Sequence, residues 1–314
     1  MQRKIIQQSR TSVGISLPTK WVKKNNIKKG QEIDMIEEPT GSLTIKTKET
    51  KPVVVSRYSL NLDDLSTFQV QRIIRGLYRS KIDEITLNFS KPKIYNKKEK
   101  KYEDIYPLVE RLCRGLVGLE VIKKTEDSII LQCFVSKDNI QNIETIERRI
   151  FLMISDFMRK IMQNLDKFSE FNKKVYDIHD DIAKFCDLYR RNIVYSELHI
   201  EVKVNKYLII SLMDKLTDIL RHLCNEIQKN KPTTKVKNFL EEIFNFFDMQ
   251  HKLLYSQDQS FIDEVVEKRN YLLNKIENEK FTISEYRIVS ESKFILFLLN
   301  DFYDLKRVKE GEGG

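Results

Sequence analysis

Cysteine and glycine are both scarce in this chain, and neither forms a pattern that signals chemistry. The four cysteines lie 20, 53 and 38 positions apart, at 113, 133, 186 and 224. This spacing contains no Cys-x-x-Cys pair and no dense disulfide framework, so we expect reduced, mostly buried thiols. The nine glycines form no phosphate-binding loop, and no Gly-x-Ser-x-Gly or His-Glu-x-x-His motif occurs. These absences predict a protein that is not an enzyme.

Long apolar runs are missing as well. No stretch approaches the ~18 residues that a membrane-spanning helix needs, and the first twenty residues lack the apolar centre of a signal peptide. We therefore expect a cytoplasmic protein without membrane insertion. At 314 residues, the chain is long enough for about two domains with a sizeable core.

Positive charge is in excess, and it is concentrated at the start of the chain. The formal net charge is +9. Residues 1–51 contain eleven Lys and Arg against five Asp and Glu, which gives +6 in about a sixth of the length. A basic segment of this kind favours a polyanionic partner such as DNA. The alternative is that these lysines only solvate a dimerisation module.

The hydrophobic pattern changes along the chain. Residues 1–50 contain four short runs with period-two alternation, which predict four strands. Residues 51–138 mix strand and helix patterns and predict a small α+β module. Residues 139–309 show helical spacing, with breaks near 168–172, 193–199, 230–234, 257–260 and 279–284 that predict six helices in two sets of three. The predicted fold class is multidomain α+β, followed by a flexible tail at 310–314.

The segment TSVGISLPTKWVKKNNIKKGQEI, residues 11–33, has the most specific pattern. A strand that alternates apolar and small residues runs into Pro18, which stops ladder pairing and fixes φ where the chain turns into a short basic helix. Thr19 or a neighbour is expected to cap this helix, and Gly30 to supply its left-handed exit. Each of these elements is too short to be stable alone.

Residues 3–47 resemble the swapped-hairpin DNA-binding domains of the AbrB/MazE/SpoVT family. The shared pattern is a polar strand, a small-residue strand ending in Leu-Pro, a short helix, Ile-Lys-Lys-Gly-Gln-Glu and two closing strands. The resemblance implies that an identical partner completes the half-domain, so that two copies form one small barrel that presents basic residues to DNA. The DNA-facing positions it implies are Arg3, Lys4, Arg10, Lys20 and Lys23. Ser9–Ser12 departs from the family, in which many members carry a Gly-Gly or Gly-Asn turn.

The helical region is similar to PhoU, a family of phosphate-uptake regulators built from two three-helix repeats. The resemblance rests on the repeated layout and on VYDIHDDIAKFCDLYRRNI, LMDKLTDILRHLCNEI and SFIDEVVEKRNYLL, which stand where that family has acidic helices. It implies a divalent metal site for iron, zinc or manganese. The candidate ligands are two pairs of acids four residues apart, Asp177 with Asp181 and Asp214 with Asp218.

Two alternatives remain for these acids. Four carboxylates from two neighbouring helices could converge on one metal, or they could be solvated or paired with arginine. The second repeat departs from the family, since Asn300 and Asp304 stand in place of two acids and Tyr271 follows Glu267. A second metal cluster is therefore not expected. Of the four histidines only His179 and His222 lie near acids in the sequence, and a surface position is the simpler interpretation for both.

The sequence pattern predicts a polar loop at residues 91–101. It is rich in lysine, and Tyr95 and Tyr102 stand within or beside the lysine run, so it could contact a nucleic-acid backbone. The simpler expectation is a solvated excursion.

Together these features predict a dimeric DNA-binding transcriptional regulator that is linked to phosphate uptake or signalling by a PhoU-like sensor domain. The main alternative is a phosphate-transport accessory protein that docks on a transporter ATPase and uses its N-terminal domain only to dimerise. A third alternative is an antitoxin-like protein, which would leave the large helical region without a role.

Overall fold

The computed structural model describes residues 3–37, 41, 43–47, 55–135, 143–196, 198–254, 256 and 258–310. The chain divides into two compact units, Met1–Val55 and Ser56–Gly314. The predicted mixture of α and β structure is confirmed. The predicted boundaries near residues 50 and 138 both fall outside the described residues. No helix in the described part of the chain combines the length and the apolar character needed to cross a membrane.

The first unit consists of two antiparallel hairpins and one short helix. Strands β1 (Ile5–Gln7) and β2 (Val13–Ile15) pair so that Ile5 lies opposite Ile15. Helix α1 spans Thr19–Lys24, and strands β3 (Ile33–Glu37) and β4 (Leu43–Thr47) form the second hairpin. These four strands confirm the four predicted from residues 1–50.

Of the two predictions for the segments that flank α1, one is confirmed and one is wrong. Gly30 has φ +86°, which confirms the predicted left-handed turn into the strand that follows, although α1 itself ends earlier, with Asn25 as its C-cap. The expected side-chain cap at Thr19 is wrong, because Thr19 is already the first helical residue and Pro18 occupies the N-cap position without a side-chain cap. The extended ψ of 127° at Pro18 lets its carbonyl accept the first helical bond from Val22 N–H.

The second unit begins with a four-stranded sheet covered by two helices. Its strands are β5 (Arg57–Asn61), β6 (Glu84–Asn88), β9 (Leu119–Lys124) and β10 (Ser128–Cys133), in the order β5-β6-β10-β9. Strands β5 and β6 are parallel and are connected through α2 (Thr67–Arg79). Helix α3 (Ile105–Arg114) packs on β9, and both helices bury their apolar faces in one core with the sheet.

A small hairpin precedes α3. Strands β7 (Lys93–Asn96) and β8 (Lys101–Asp104) are antiparallel, so the polar loop predicted for 91–101 is wrong. Alternation of polar and apolar residues is present here, but lysine is the main polar residue and has low strand propensity, which concealed the strands in the sequence. The predicted hairpin around Glu126 and Asp127 is confirmed by the pairing of β9 with β10.

The remainder of the second unit is helical, and six long helices confirm the six that the spacing predicts. The helices are α4 (Ile143–Gln163), α5 (Phe168–Asn172), α6 (Val175–Tyr195), α7 (Ile200–Lys229), α8 (Thr234–Leu253), α9 (Gln259–Asn278) and α10 (Ile283–Glu310). The short α5 lies at the first predicted break. Helices α4, α6 and α7 contact one another, as do α8, α9 and α10, and α10 also packs on α7. All of them surround one core of aliphatic and phenylalanine side chains.

Candidate nucleic-acid interface

The β1–β2 hairpin places a basic residue at a turn fixed by serine side chains. Ser9 Oγ accepts hydrogen bonds from the backbone N–H groups of Thr11 and Ser12, at 3.3 and 3.1 Å, and lies 2.7 Å from Ser12 Oγ. The backbone N–H of Ser9 also donates to the Ser12 carbonyl, at 3.2 Å. Serine side chains thus close a turn that carries Arg10 at its exposed tip.

The other predicted DNA-facing residues are also exposed. Arg3 and Lys4 directly precede β1, at the end of the hairpin opposite Arg10. With about 3.3 Å per strand residue, the two ends are separated by roughly 10 Å along β1. Lys20 and Lys23 lie on α1, whose last turn is basic. The hairpin and the helix therefore offer several cations to a polyanion, with no acidic residue in the first turn of α1.

The apolar side chains of the first unit are uncovered. Not one of its described residues is buried. Six large apolar side chains are more than half exposed: Ile5 71%, Ile6 58%, Val13 62%, Ile15 52%, Met35 63% and Leu43 56%. They come from all four strands, so both hairpins expose hydrophobic residues that a folded domain would bury. Among the side chains of the first unit that the structure describes, none forms a buried core.

The helical acids do not converge as predicted. Asp177 and Asp181 are exposed on α6. Asp214, on α7, instead accepts a hydrogen bond from Arg190 Nη1 at 2.9 Å. Asp218 lies 3.1 Å from His179 Nε2. In this arrangement Asp214 follows the arginine-paired alternative, and Asp218 is paired with a histidine; a metal held by the four carboxylates stays a prediction.

His179 bridges two acids on neighbouring helices. Its Nδ1 lies 3.0 Å from Asp180 Oδ1, and its Nε2 faces Asp218. The hydrogen bond that protonated His179 donates to Asp180 is the main influence that raises the pKa of His179, and Asp218 adds to it, while burial acts in the opposite direction. Arg221 and Lys215 lie 3.6 and 3.8 Å from Asp218. Within the described ranges, no group of three or more His, Cys, Asp or Glu side chains could hold a metal ion.

Of the second-repeat residues named above, only Glu267 and Tyr271 have described side chains. Glu267 is exposed on α9, and the Tyr271 ring has the Lys268 and Lys275 ammonium groups at 4.6 and 5.6 Å from its centroid. The side chains of Asn300 and Asp304 lie outside the described residues. His222 is exposed, in agreement with its predicted surface position.

The thiols confirm their prediction. All four cysteines are free and buried. Burial raises the pKa of the Cys113 thiol to about 12, so this sulfur stays protonated and unreactive at neutral pH.

A charged network between α2 and α6 was not predicted from the sequence. Arg191 is fully buried and donates to the carbonyls of Tyr78 and Ile82, at 2.7 and 3.0 Å, and to Asp83 Oδ1 at 2.6 Å. Beside it, the buried Asp187 accepts from Arg79 Nε at 2.6 Å. The adjacent arginines Arg190 and Arg191, within an apolar helical pattern, were the feature of the sequence that could have indicated this network. This network connects the sheet layer to the helices within the second unit.

Comparison with known families supports the N-terminal assignment. Residues 6–53 match the sequence model of the family described as "Antidote-toxin recognition MazE, bacterial antitoxin". The match covers the two hairpins and α1, and it supports a domain of the MazE/AbrB type that binds DNA and dimerises. No curated protein and no solved structure matched the chain. The resemblance of the helical region to PhoU gains no support from these comparisons and stays a prediction.

Proposed function

We propose that the protein is a homodimeric DNA-binding transcriptional regulator. In this proposal two copies of the first unit interleave their hairpins into one barrel, which holds Arg3, Lys4 and Arg10 of both copies against DNA phosphates. The observation that carries the proposal is the uncovered apolar surface on all four strands of that unit. Full burial of an exposed isoleucine, valine or leucine side chain stabilises the folded state by roughly 1.5–3 kcal/mol. Covering of these strands by a second copy is therefore strongly favoured.

Dimerisation can be tested with a single charged substitution. Ile15→Asp places a carboxylate on β2, where the second copy would cover it, and an unpaired buried charge is strongly unfavourable. Light scattering should give a dimeric mass for the unchanged protein and a lower mass for Ile15→Asp. The matched control is Ile283→Asp, because Ile283 is 82% exposed in the second unit. A monomeric mass for the unchanged protein would exclude the proposed barrel.

DNA binding can be tested through its salt dependence. If Arg10 neutralises a phosphate, the logarithm of the affinity for duplex DNA should fall with the logarithm of salt concentration by about 0.9 for each phosphate contacted. Arg10→Ala should make this slope shallower by about one unit for each contacting arm. Arg287→Ala, an exposed arginine on α10, is the control and should leave the slope unchanged. An affinity that neither salt nor Arg10→Ala alters would favour the alternative below.

The role of the helical region is a further part of the proposal. By its resemblance to PhoU, it would sense or receive a phosphate-linked signal, either through a signalling protein or through a divalent metal. Because Asp214 and Asp218 already contact Arg190 and His179, metal binding would require these contacts to rearrange. Elemental analysis after reconstitution with iron, zinc and manganese tests this point, and Asp214→Asn with Asp218→Asn should abolish any metal that is found.

Two other functions predict different experimental results. A phosphate-transport accessory protein, which docks on a transporter ATPase, would dimerise without binding DNA. An antitoxin-type regulator is favoured by the description of the matched family, and would copurify with a toxic partner from its native cell. The second unit, with its own two hydrophobic cores, is much larger than the matched segment, and this favours a regulator with a separate sensing part.

A further inference from the structure

The β7–β8 hairpin of the second unit carries two exposed tyrosines side by side. Tyr95 and Tyr102 are directly opposite each other in the antiparallel register, and their ring centroids lie 5.3 Å apart. Tyr102 is 69% exposed and Tyr95 37%. Cross-strand aromatic pairs of this kind commonly cover a hydrophobic core, but this pair faces solvent. Such a pair stabilises the hairpin, and here it also leaves ring surface open to a ligand.

The hairpin is held firmly at its base. Ile94, which alternates with Tyr95 along β7, is 2% exposed and belongs to the core under the sheet. At the tip, Asn96 Oδ1 accepts from the backbone N–H groups of Lys98 and Glu99, at 3.0 and 3.1 Å, and Asn96 Nδ2 donates to Glu103 Oε1 at 2.9 Å. The tyrosines are therefore presented by a fixed element, which lowers the entropy cost of binding a ligand.

The charge around the tyrosine pair is strongly positive. Six lysines lie in the fourteen residues from 91 to 104, at positions 91, 93, 97, 98, 100 and 101. The same segment has three acids, of which Glu103 is engaged by Asn96. All six lysines are exposed. Lys93 is two residues from Tyr95 in β7, so strand alternation places it on the same face as the ring.

A second aromatic group lies next to this hairpin. Helix α2 packs against β7, and Ser66 at its N-cap forms a β-bridge with Tyr95. Two residues further along, Phe68 is 62% exposed, and the Arg72 guanidinium lies 5.5 Å from its ring centroid. Exposed rings and cations thus occur together on two adjoining elements of one surface.

We propose that this surface, formed by the β7–β8 hairpin with Phe68 and Arg72, binds single-stranded nucleic acid. Lysines neutralise the phosphates while unpaired bases stack on the tyrosine rings, the combination that single-strand binders use. Duplex DNA fits less well, because its bases are already stacked on each other and leave the rings without a partner. An acidic protein surface would satisfy the lysines but would give the exposed rings no comparable contact. The site belongs to the second unit and does not depend on the barrel proposed for the first.

Fluorescence anisotropy of the full-length protein with labelled oligo-deoxythymidylate, about 12 nucleotides long, tests this site. Tyr102→Ala should weaken binding about 5- to 150-fold, since stacking contributes about 1–3 kcal/mol per base. Substituting Lys93, Lys97 and Lys98 together by glutamine should reduce the salt slope by about 2, since single strands lose about 0.7 per phosphate contact.

Matched controls separate this site from other effects. Tyr286→Ala removes an equally exposed tyrosine from α10, and glutamine at Lys167, Lys173 and Lys174 removes the same charge near the start of α6; neither change should alter binding. Arg10→Ala should weaken duplex binding while leaving oligo-deoxythymidylate binding intact. The proposal is overturned if Tyr102→Ala binds as the unchanged protein does, or if polyglutamate displaces the oligonucleotide at equal charge concentration. It is equally overturned if only Arg10→Ala abolishes oligonucleotide binding.

Discussion

Replacing Arg191 by methionine should lower the free energy of unfolding of the second unit by about 3–5 kcal/mol. Methionine is an unbranched side chain that fills part of the same space without a charge. The substitution therefore removes mainly the hydrogen bonds of the guanidinium. The guanidinium donates to the carbonyls of Tyr78 and Ile82. The Tyr78 carbonyl keeps the Lys81 N–H at 3.2 Å, so the larger loss is at Ile82, because leaving a buried carbonyl without a donor costs about 1–3 kcal/mol. The third bond of the guanidinium, to Asp83, is charge-assisted, a class that contributes about 1.5–3 kcal/mol.

The expected loss of unfolding free energy is smaller than the sum of these contributions, because Asp83 keeps other hydrogen-bond donors. The Ser56 hydroxyl and backbone N–H lie 3.0 and 3.2 Å from Asp83 Oδ2, and the Asp83 side chain is 20% exposed. The estimate of about 3–5 kcal/mol matches the usual cost of removing one partner from a buried ion pair. Arg191→Lys should recover only part of it, because an ammonium group lacks the planar fork that reaches three acceptors.

Urea denaturation followed by circular dichroism measures this loss. The control is Arg159→Met, which removes an exposed arginine that bonds to Asp156 at 2.8 Å on α4. Exposed pairs of this kind contribute at most about 1 kcal/mol. If Arg191→Met cost no more than Arg159→Met, the buried network would not be what connects the sheet layer to the helices, and the reasoning would fail.

Three further predictions concern single features of the chain. Because the pKa of His179 is raised in the folded protein, its stabilising effect should be complete below about pH 6.5 and disappear as the pH rises through the folded-state pKa. His179→Gln should therefore lose more stability at pH 5.5 than at pH 8.5, and a constant difference would contradict this. Gly30→Ala, at φ +86° with open space around it, should cost about 1 kcal/mol from backbone strain alone, seen as a lower melting temperature of the dimer. The four thiols should react slowly with a disulfide reagent in native protein and rapidly in denaturant; fast native reaction would show that they are accessible.

The sequence predicted those elements whose residues carry strong local constraints. Pro18 restricts φ and Gly30 permits a positive φ, so the start of α1 and the turn into β3 could be predicted from these two residues. Helix breaks between residues 139 and 309 were visible because apolar spacing stops there for several residues. Strands β7 and β8 were missed, because lysine is their main polar residue and has low strand propensity.

Side-chain pairing was harder to predict than the elements themselves. Asp214 and Asp218 are four residues apart, which fixes their common helix face. Which residues oppose that face depends on the rotation of α6, and this rotation brings Arg190 and His179 there instead of Asp177 and Asp181. Spacing within one helix cannot determine that rotation, since it is set by packing of the whole core.

The contact between Arg191 and Tyr78 joins residues that are 113 positions apart in the chain. At a ribosomal rate of about 5–20 residues per second, α6 is made roughly 6–20 seconds after α2. During that interval the Tyr78 carbonyl has the local N–H of Lys81 but not the guanidinium, and Asp83 lacks the buried cation that later pairs with it. The nascent sheet layer is therefore exposed to proteases and chaperones until α6 has been synthesised.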